Sequence, residues 1–351
     1  MSENTKKSTP LPEGVIENKD LQEYNTFRVP VKARYFFRVT DEEKLQQLVK
    51  SSFFQEIELV RVLGGGSNVL FTKDFEGLLL WVDVKGKETA EEDEDHIWLS
   101  SGGGENWHQF VQYAVENNLG GIENLSLIPG MVGSAPIQNI GAYGVEIKEV
   151  FAWLRAVNLN TGEVETFMPE DCDFDYRYSV FKGPLKNQYL VTSVTVKLSK
   201  KPVPNLEYKA LKEALKEDGI ENPDIKQISD AVCRVRQSKL PDPEKRGNAG
   251  SFFKNSIIPV EKFQELKQSY PEIPSYPVDE TYVKVPSGWL IEKAGMRGVT
   301  YGRTGTWPAQ ALVIVNKGGA TGEEIREFSE EIRQKVMEKF GILLENEVNI
   351  W

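Results

Sequence analysis

At 351 residues the chain is long enough for two cores, since a single core stops growing at roughly 250–300 residues. Its composition (40% hydrophobic, 27% charged) is that of a globular protein, while 42 Lys+Arg against 53 Asp+Glu give a net charge of −11 without any basic run; a nucleic-acid-coating role is excluded, and an anionic ligand needs locally gathered cations. No apolar stretch approaches the roughly 18 residues of a membrane span, residues 1–20 carry no signal-like run, and Cys172 and Cys233 lack metal or redox spacing, so a cytoplasmic chain with reduced thiols and no metal is expected.

Residues 1–19 read as a loose tail. "RYFFRV" (34–39) reads as a strand, and Thr40 with Glu43 predicts a capping box ahead of "EEKLQQLVKSSF". "ELVRVLGGGSNVLF" (58–71) is a β-rich run broken by three glycines, followed by the strand "GLLLWV" (77–82). The acidic "AEEDEDH" (90–96), with His96, reads as a solvated turn. "ENWHQFVQYAVENN" (105–118) puts Trp107, Phe110, Val111, Ala114 and Val115 on one helical face, with His108 at its border and Gly120 just beyond. Strands dominate 150–198, with a turn at Thr161-Gly162. After the linker "KKPVPN" (200–205) the texture becomes helical. Trp289, Leu290, Ile291 and Ala294 read as core. The last helix carries Ile325, Phe328, Ile332, Val336 and Phe340 and closes at Gly341, before a strand-like "ILLENEVNIW".

Two glycine clusters carry chemistry: Gly64-Gly65-Gly66-Ser67-Asn68, directly after a strand, and "SLIPGMVGSAPIQNIGAYG" (126–144). Glycine lets backbone N–H groups converge on an anion such as a diphosphate. Neither cluster fits the Rossmann or Walker fingerprint. A turn with a close strand crossing is the alternative for each, but nineteen residues with hardly a charge do not make an ordinary surface loop. Arg234, Arg236 and Lys239 cluster on or just after one short helix, followed by Lys254. "GNAGSFFKN" (247–255) sets Ser251 in a small-residue frame far from both histidines.

Taken together, "GGGSNVLF", "NLSLIPGMVGSAPIQNIGAYGVE", "YRYSVFK", "KLPDP", "GNAGSFFKN" and "ENEV" resemble, in order and spacing, the UDP-N-acetylenolpyruvoylglucosamine reductase family. The resemblance runs from about Tyr24 to Val348. It implies non-covalent FAD bound without a Rossmann fingerprint, NADPH as co-substrate, and a UDP-sugar enolpyruvyl ether as the group reduced. FAD-binding positions carried over are Gly64, Gly65, Gly66, Ser67, Asn68, Pro129, Gly130, Gly133, Ser134, Ile137 and Gly141. By the same resemblance Ser251 is the proton donor, and Arg177 and Glu347 stabilise the enolate. Lys239 and Asn255 match positions that hold the substrate diphosphate, with Arg236 beside them. Tyr208 matches the tyrosine that closes over the nucleotide in one branch, and Tyr143 and Gln310 are further substrate candidates. The family usually carries a basic residue where this chain has Asn349, so no ligand contact is assigned there.

The expectation is therefore an α+β protein. An FAD-binding domain of vanillyl-alcohol-oxidase/PCMH type spans 20–203 in two lobes, a substrate-binding domain spans 204–340, and a C-terminal strand (341–351) returns to the FAD domain. Monomeric state and no nucleic-acid or membrane partner are expected, with NADPH and substrate taking turns in one cleft. The rival readings are an oxidase of the same FAD superfamily acting on a sugar or alcohol, with His108 as the nearest candidate for a covalent flavin, and a catalytically idle flavin-binding module.

Overall fold

The structure, a computed structural model, describes residues 11–351; residues 1–10 of the expected tail lie outside the described residues. The remainder of that tail is not loose. Val15–Asp20 is a strand beside Lys32–Val39, with mostly exposed side chains, so it is held by backbone pairing rather than by a hydrophobic pattern.

The chain divides into two compact units. The first comprises residues up to Lys19, Ala33–Gly65 and Phe75–Val235. Here the strand Phe75–Val82 lies between Lys32–Val39 and Val60–Leu63, parallel to both. Leu78, Leu79 and Leu80 are all fully buried, the continuous apolar run of a strand covered on both faces. The crossover between the flanking strands is helical (Glu42–Val49, then Ser52–Glu56). It buries Leu45, Leu48, Val49, Phe53 and Phe54. The cap of the first helix is Asp41 rather than the expected Thr40. Its carboxylate accepts from the Lys44 amide at 2.8 Å, and the Thr40 hydroxyl donates to Asp41 instead.

A five-stranded antiparallel sheet follows, in the order Val164–Phe167, Phe151–Asn158, Tyr189–Ser199, His96–Gly102, Lys87–Glu92. Val157, Leu159 and Leu190 from this region enter the core beneath the parallel strands, joining the two lobes. The acidic run partly departs from expectation, because Glu91 and Glu92 belong to an exposed strand and only 93–95 turn. The helix Trp107–Glu116 is capped by Asn106 and buries Trp107, Phe110, Val111 and Ala114. Residues 204–235 pack in this unit: Leu211, Leu215, Ile228, Ala231 and Val232 form a cluster with Tyr143, Leu206 and Ile220.

The second unit comprises Asp20–Lys32, Gly66–Asp74 and Arg236–Trp351. Its sheet runs Gly247–Ser251, Gln310–Asn316, Thr304–Trp307, Thr300–Tyr301. The helix Gly322–Phe340 buries Ile325, Phe328, Ile332, Val336 and Phe340 and ends at Gly341 (φ 65°), as the sequence predicts. Leu290 and Ile291 are core; Trp289 and Ala294 are half-buried. The strand-like C-terminal segment is mostly irregular. Only Asn349–Ile350 forms a strand, parallel to Val69–Leu70, which is all that this short partner can pair. Among the described residues no helix is long and apolar enough to cross a membrane.

Candidate active site

Within the first unit the two glycine clusters meet. A Cβ built on Gly65 would lie 3.0 Å from the Gly130 Cα, so a side chain there would press directly on the Gly130 backbone. Pro129 is exposed, Gly130 buried, and the chain then dives inward through Val132 and Gly133. Gly133 donates to the Gly103 carbonyl at 2.8 Å, and its Cβ position is 3.0 Å from the Gly103 Cα. Gly102-Gly103-Gly104 is thus a third glycine cluster, missed in the sequence reading. The three consecutive glycines at the end of the strand His96–Gly102 can be read in the sequence, but nothing local tells what they face. Ser134 is exposed and bonds the Met131 carbonyl, while Ile137 is half-buried and its carbonyl accepts from the Ser179 hydroxyl at 2.6 Å.

The same loop shapes the surroundings of Arg177. Asn139, fully buried, donates to Glu146 at 2.9 Å and to the Asp175 carbonyl at 3.0 Å. Arg177 has φ 53°, a left-handed conformation uncommon for a residue with a long side chain and typical of sites where position matters more than local comfort. Its Nη2 donates to the Gly141 carbonyl at 2.7 Å, and its guanidinium lies 5.5 Å from the Tyr176 ring centroid. The second cluster and the Arg177 turn are therefore one hydrogen-bonded construction.

Glu123 lies at the mouth of that loop, 3% exposed, accepting from the Gly121 amide at 2.7 Å. Burial pushes its carboxyl above the ordinary range, outweighing the amide bonds that favour its charged form. His108 accepts the Leu127 amide at Nδ1 (3.0 Å), a structural use of that nitrogen. Arg234 pairs with Asp218, which settles it as part of a local ion pair. Tyr143 and Tyr208 meet edge-on, 5.1 Å between centroids.

In the second unit Gly66 is buried at φ 64°, and its Cβ position falls 2.0 Å from the Tyr24 carbonyl oxygen. Its own carbonyl accepts from the Thr26 amide at 3.1 Å. Among the described residues the amides of Gly66 and Ser67 donate to no protein acceptor, as is also true of Gly65 in the first unit. Asn68 donates to the Glu347 carbonyl (3.2 Å), and the Asn68 carbonyl accepts from both the amide and the side chain of Asn349 (3.1 and 3.0 Å).

Ser251 ends the strand Gly247–Ser251, beyond a register shift in which Gly250 takes φ 67°. Asn248, 3% exposed, builds the bulge: it donates to the Pro241 and Arg246 carbonyls and accepts from the Gly250 amide at 2.9 Å. Ser251 is half-buried, and its hydroxyl makes no hydrogen bond among the described residues. The adjacent Phe252 carbonyl accepts from the Glu347 amide at 2.8 Å, so Ser251 and Glu347 lie on neighbouring, bonded segments. Asn255 accepts from the Ser287 amide at 3.2 Å, and Lys254 pairs with Glu345 at 3.2 Å. Arg236 and Lys239 occupy the last turn of the helix Ile225–Lys239, and Gln310 opens the strand Gln310–Asn316.

Residues 33–167 match a family described as an FAD binding domain, and residues 242–351 match the C-terminal domain of UDP-N-acetylenolpyruvoylglucosamine reductase. The chain is 47% identical over 337 residues to the reductase of that name from Flavobacterium johnsoniae, covering 96% of this chain and 99% of the relative. It is 48% identical over 334 residues to that from Amoebophilus asiaticus, covering 95% and 98%. Among solved structures, the Thermus caldophilus reductase superposes with a TM-score of 0.64 at 25% identity, covering 95% of this chain and 98% of that one. The 6-hydroxy-D-nicotine oxidase of Arthrobacter nicotinovorans (TM-score 0.52, 15% identity, 97% and 90% covered) shares the fold. The glycine-lined loops, the PCMH-type architecture and these end-to-end matches agree: the chain belongs to the UDP-N-acetylenolpyruvoylglucosamine reductase family.

Proposed function

We propose that Ser251, Arg177 and Glu347 carry the chemistry of an NADPH-dependent flavoenzyme that reduces the enolpyruvyl ether of UDP-N-acetylenolpyruvoylglucosamine to the lactyl ether of UDP-N-acetylmuramate. The observation behind the activity is the match over 96% of the chain to a relative covered over 99% of its own length. FAD, when bound, would supply the two-electron chemistry between NADPH and the vinyl ether. The amides of Gly65, Gly66 and Ser67, lacking protein acceptors, suit a dinucleotide's diphosphate, and 129–141 is a second stretch that contacts the flavin nucleotide.

The residues then divide the work on the substrate. Once its terminal carbon is reduced, the carbon bearing the carboxylate is an enolate carbon that needs one proton. The Ser251 Oγ–H supplies it. A serine is a weak acid, but the enolate is strongly basic, so placement matters more than acidity. The bulge at Gly250 and the three bonds of Asn248 fix that placement. Arg177 meets the growing carboxylate charge with a planar fork, held by Gly141 and Tyr176, and Glu347 shares that task. Arg236, Lys239 and Asn255 take the diphosphate; Tyr143, Tyr208 and Gln310 contact the remainder. Residues 20–203 act chiefly on the flavin, 204–340 on the substrate, and 341–351 close back on the FAD-binding region. The enzyme acts in the cytoplasm as a monomer, without nucleic-acid or membrane partners.

The test uses purified flavin-loaded protein under anaerobic conditions. NADPH should bleach the flavin, and UDP-N-acetylenolpyruvoylglucosamine should restore its colour. Recovery by oxygen alone would favour the oxidase reading, and absence of bleaching would leave only a flavin-binding module.

A further inference from the structure

The turn that carries Tyr143 is strained, and one buried side chain holds it. Tyr143 and Gly144 join the strands Gly141–Ala142 and Val145–Glu146 with φ of 51° and 85°. Two central residues at positive φ make the hairpin loop that normally selects Asn-Gly, and a bulky residue in the first place is disfavoured. Tyrosine sits there against its own preference. Its carbonyl accepts from the Asn124 Nδ2 at 3.0 Å, and the second hydrogen of the same amide goes to the Asn205 carbonyl, also at 3.0 Å. Asn205 opens the approach to Tyr208, its Oδ1 accepting from the Glu207 amide at 3.1 Å. The Tyr208 ring, 45% exposed, then rests on the edge of Tyr143.

Asn124 itself is 1% exposed, and its Oδ1 finds no partner among the described residues. A buried amide that leaves its own acceptor unsatisfied costs stability, so its retention is explained by the two donors. We infer that Asn124 is a positioning residue for substrate binding: it fastens the segment entering Tyr208 to the strained Tyr143 turn, and so holds the base from which Tyr208 closes on the UDP-sugar. The inference rests on the reading of Tyr208 as the residue that closes over the nucleotide. The neighbouring Ser126 bonds the Ser229 hydroxyl at 2.7 Å and so secures the helix Ile225–Lys239 separately.

Steady-state kinetics of the flavin-loaded full chain test this. Asn124→Asp keeps the shape and removes both donors. It should raise KM for UDP-N-acetylenolpyruvoylglucosamine about fivefold or more while kcat and flavin content stay within about twofold. Tyr208→Ala alone should also raise KM, and adding Asn124→Asp to it should change KM by less than about twofold. Unchanged KM in Tyr208→Ala would sink the reading of Tyr208. A clear Tyr208→Ala effect with Asn124→Asp silent, or multiplying in full, would sink the role of Asn124 alone, as would a lowered melting temperature with KM unmoved. If Asn124→Asp does not fold, Asn124→Ser, which keeps one donor, should show a smaller KM rise; an unchanged KM there overturns the inference.

Discussion

Replacing Gly66 by alanine isolates the demand that the first glycine cluster makes on the backbone. The new Cβ would sit 2.0 Å from the Tyr24 oxygen and 2.8 Å from the Asn25 Cα, both main-chain atoms that cannot rotate away. Reaching ordinary contact near 3.4 Å requires the two segments to part by about 1.4 Å (3.4 − 2.0). Such a shift breaks the bonds from the Thr26 amide and hydroxyl to the Gly66 carbonyl, each worth about 1 kcal/mol. The left-handed conformation adds about 1–2 kcal/mol for a residue with a Cβ. The sum is about 3–4 kcal/mol, which for a unit of this size lowers the melting temperature on the order of 10 °C. Gly219→Ala is the control, because Gly219 has φ 72° and nothing within 4 Å of its Cβ position; it should cost only the conformational part. Thermal melts of both variants, with bound flavin measured by absorbance, decide the matter. If Gly66→Ala melts within about 2 °C of Gly219→Ala and keeps its flavin, the close approach is not what selects glycine here.

Ser251→Ala should leave bleaching by NADPH nearly intact and slow turnover of the enolpyruvyl substrate about 10²–10⁴-fold; equal loss of both half-reactions in stopped-flow would remove the proton-donor assignment. Glu123→Gln should change stability with a definite sign. Burial raises this carboxyl above its unfolded value, so the fold suffers no penalty at pH below that value and an increasing one as pH rises through the folded value. The variant should therefore melt higher than the parent at neutral pH, with the gain vanishing in acid; a gain that grows toward low pH would contradict the burial argument.

Much of the architecture was legible because it rests on local periodicity. The helix Gly322–Phe340 declares itself through five apolar residues and a terminal glycine, and Trp107–Glu116 through its buried stripe. What escaped depends on partners distant in sequence. Val15–Asp20 has no alternation to read, since its place comes from a neighbour's open edge. Residues 204–235 look like the start of a new domain by texture, yet Leu211 and Ile228 bury themselves against Tyr143 and Leu206. In the site, the glycine clusters and Arg177 stood out by composition and resemblance. Gly102–Gly104 did not, because its meaning lies in what Gly133 brings against it. Asn124 gave no signal either: one asparagine in "IENLS" reveals its two carbonyl partners only after folding.

The lacing of Asn68 to Glu347 and Asn349, with the Thr72 amide bonded to the Trp351 carbonyl at 2.7 Å, has a bearing on biosynthesis. A nascent chain displays "GGGSN" early, but the brace that gives its far end a shape is translated some 280 residues later. Until that last stretch leaves the ribosome, the Asn68 end of the motif lacks the partners that hold its backbone in place.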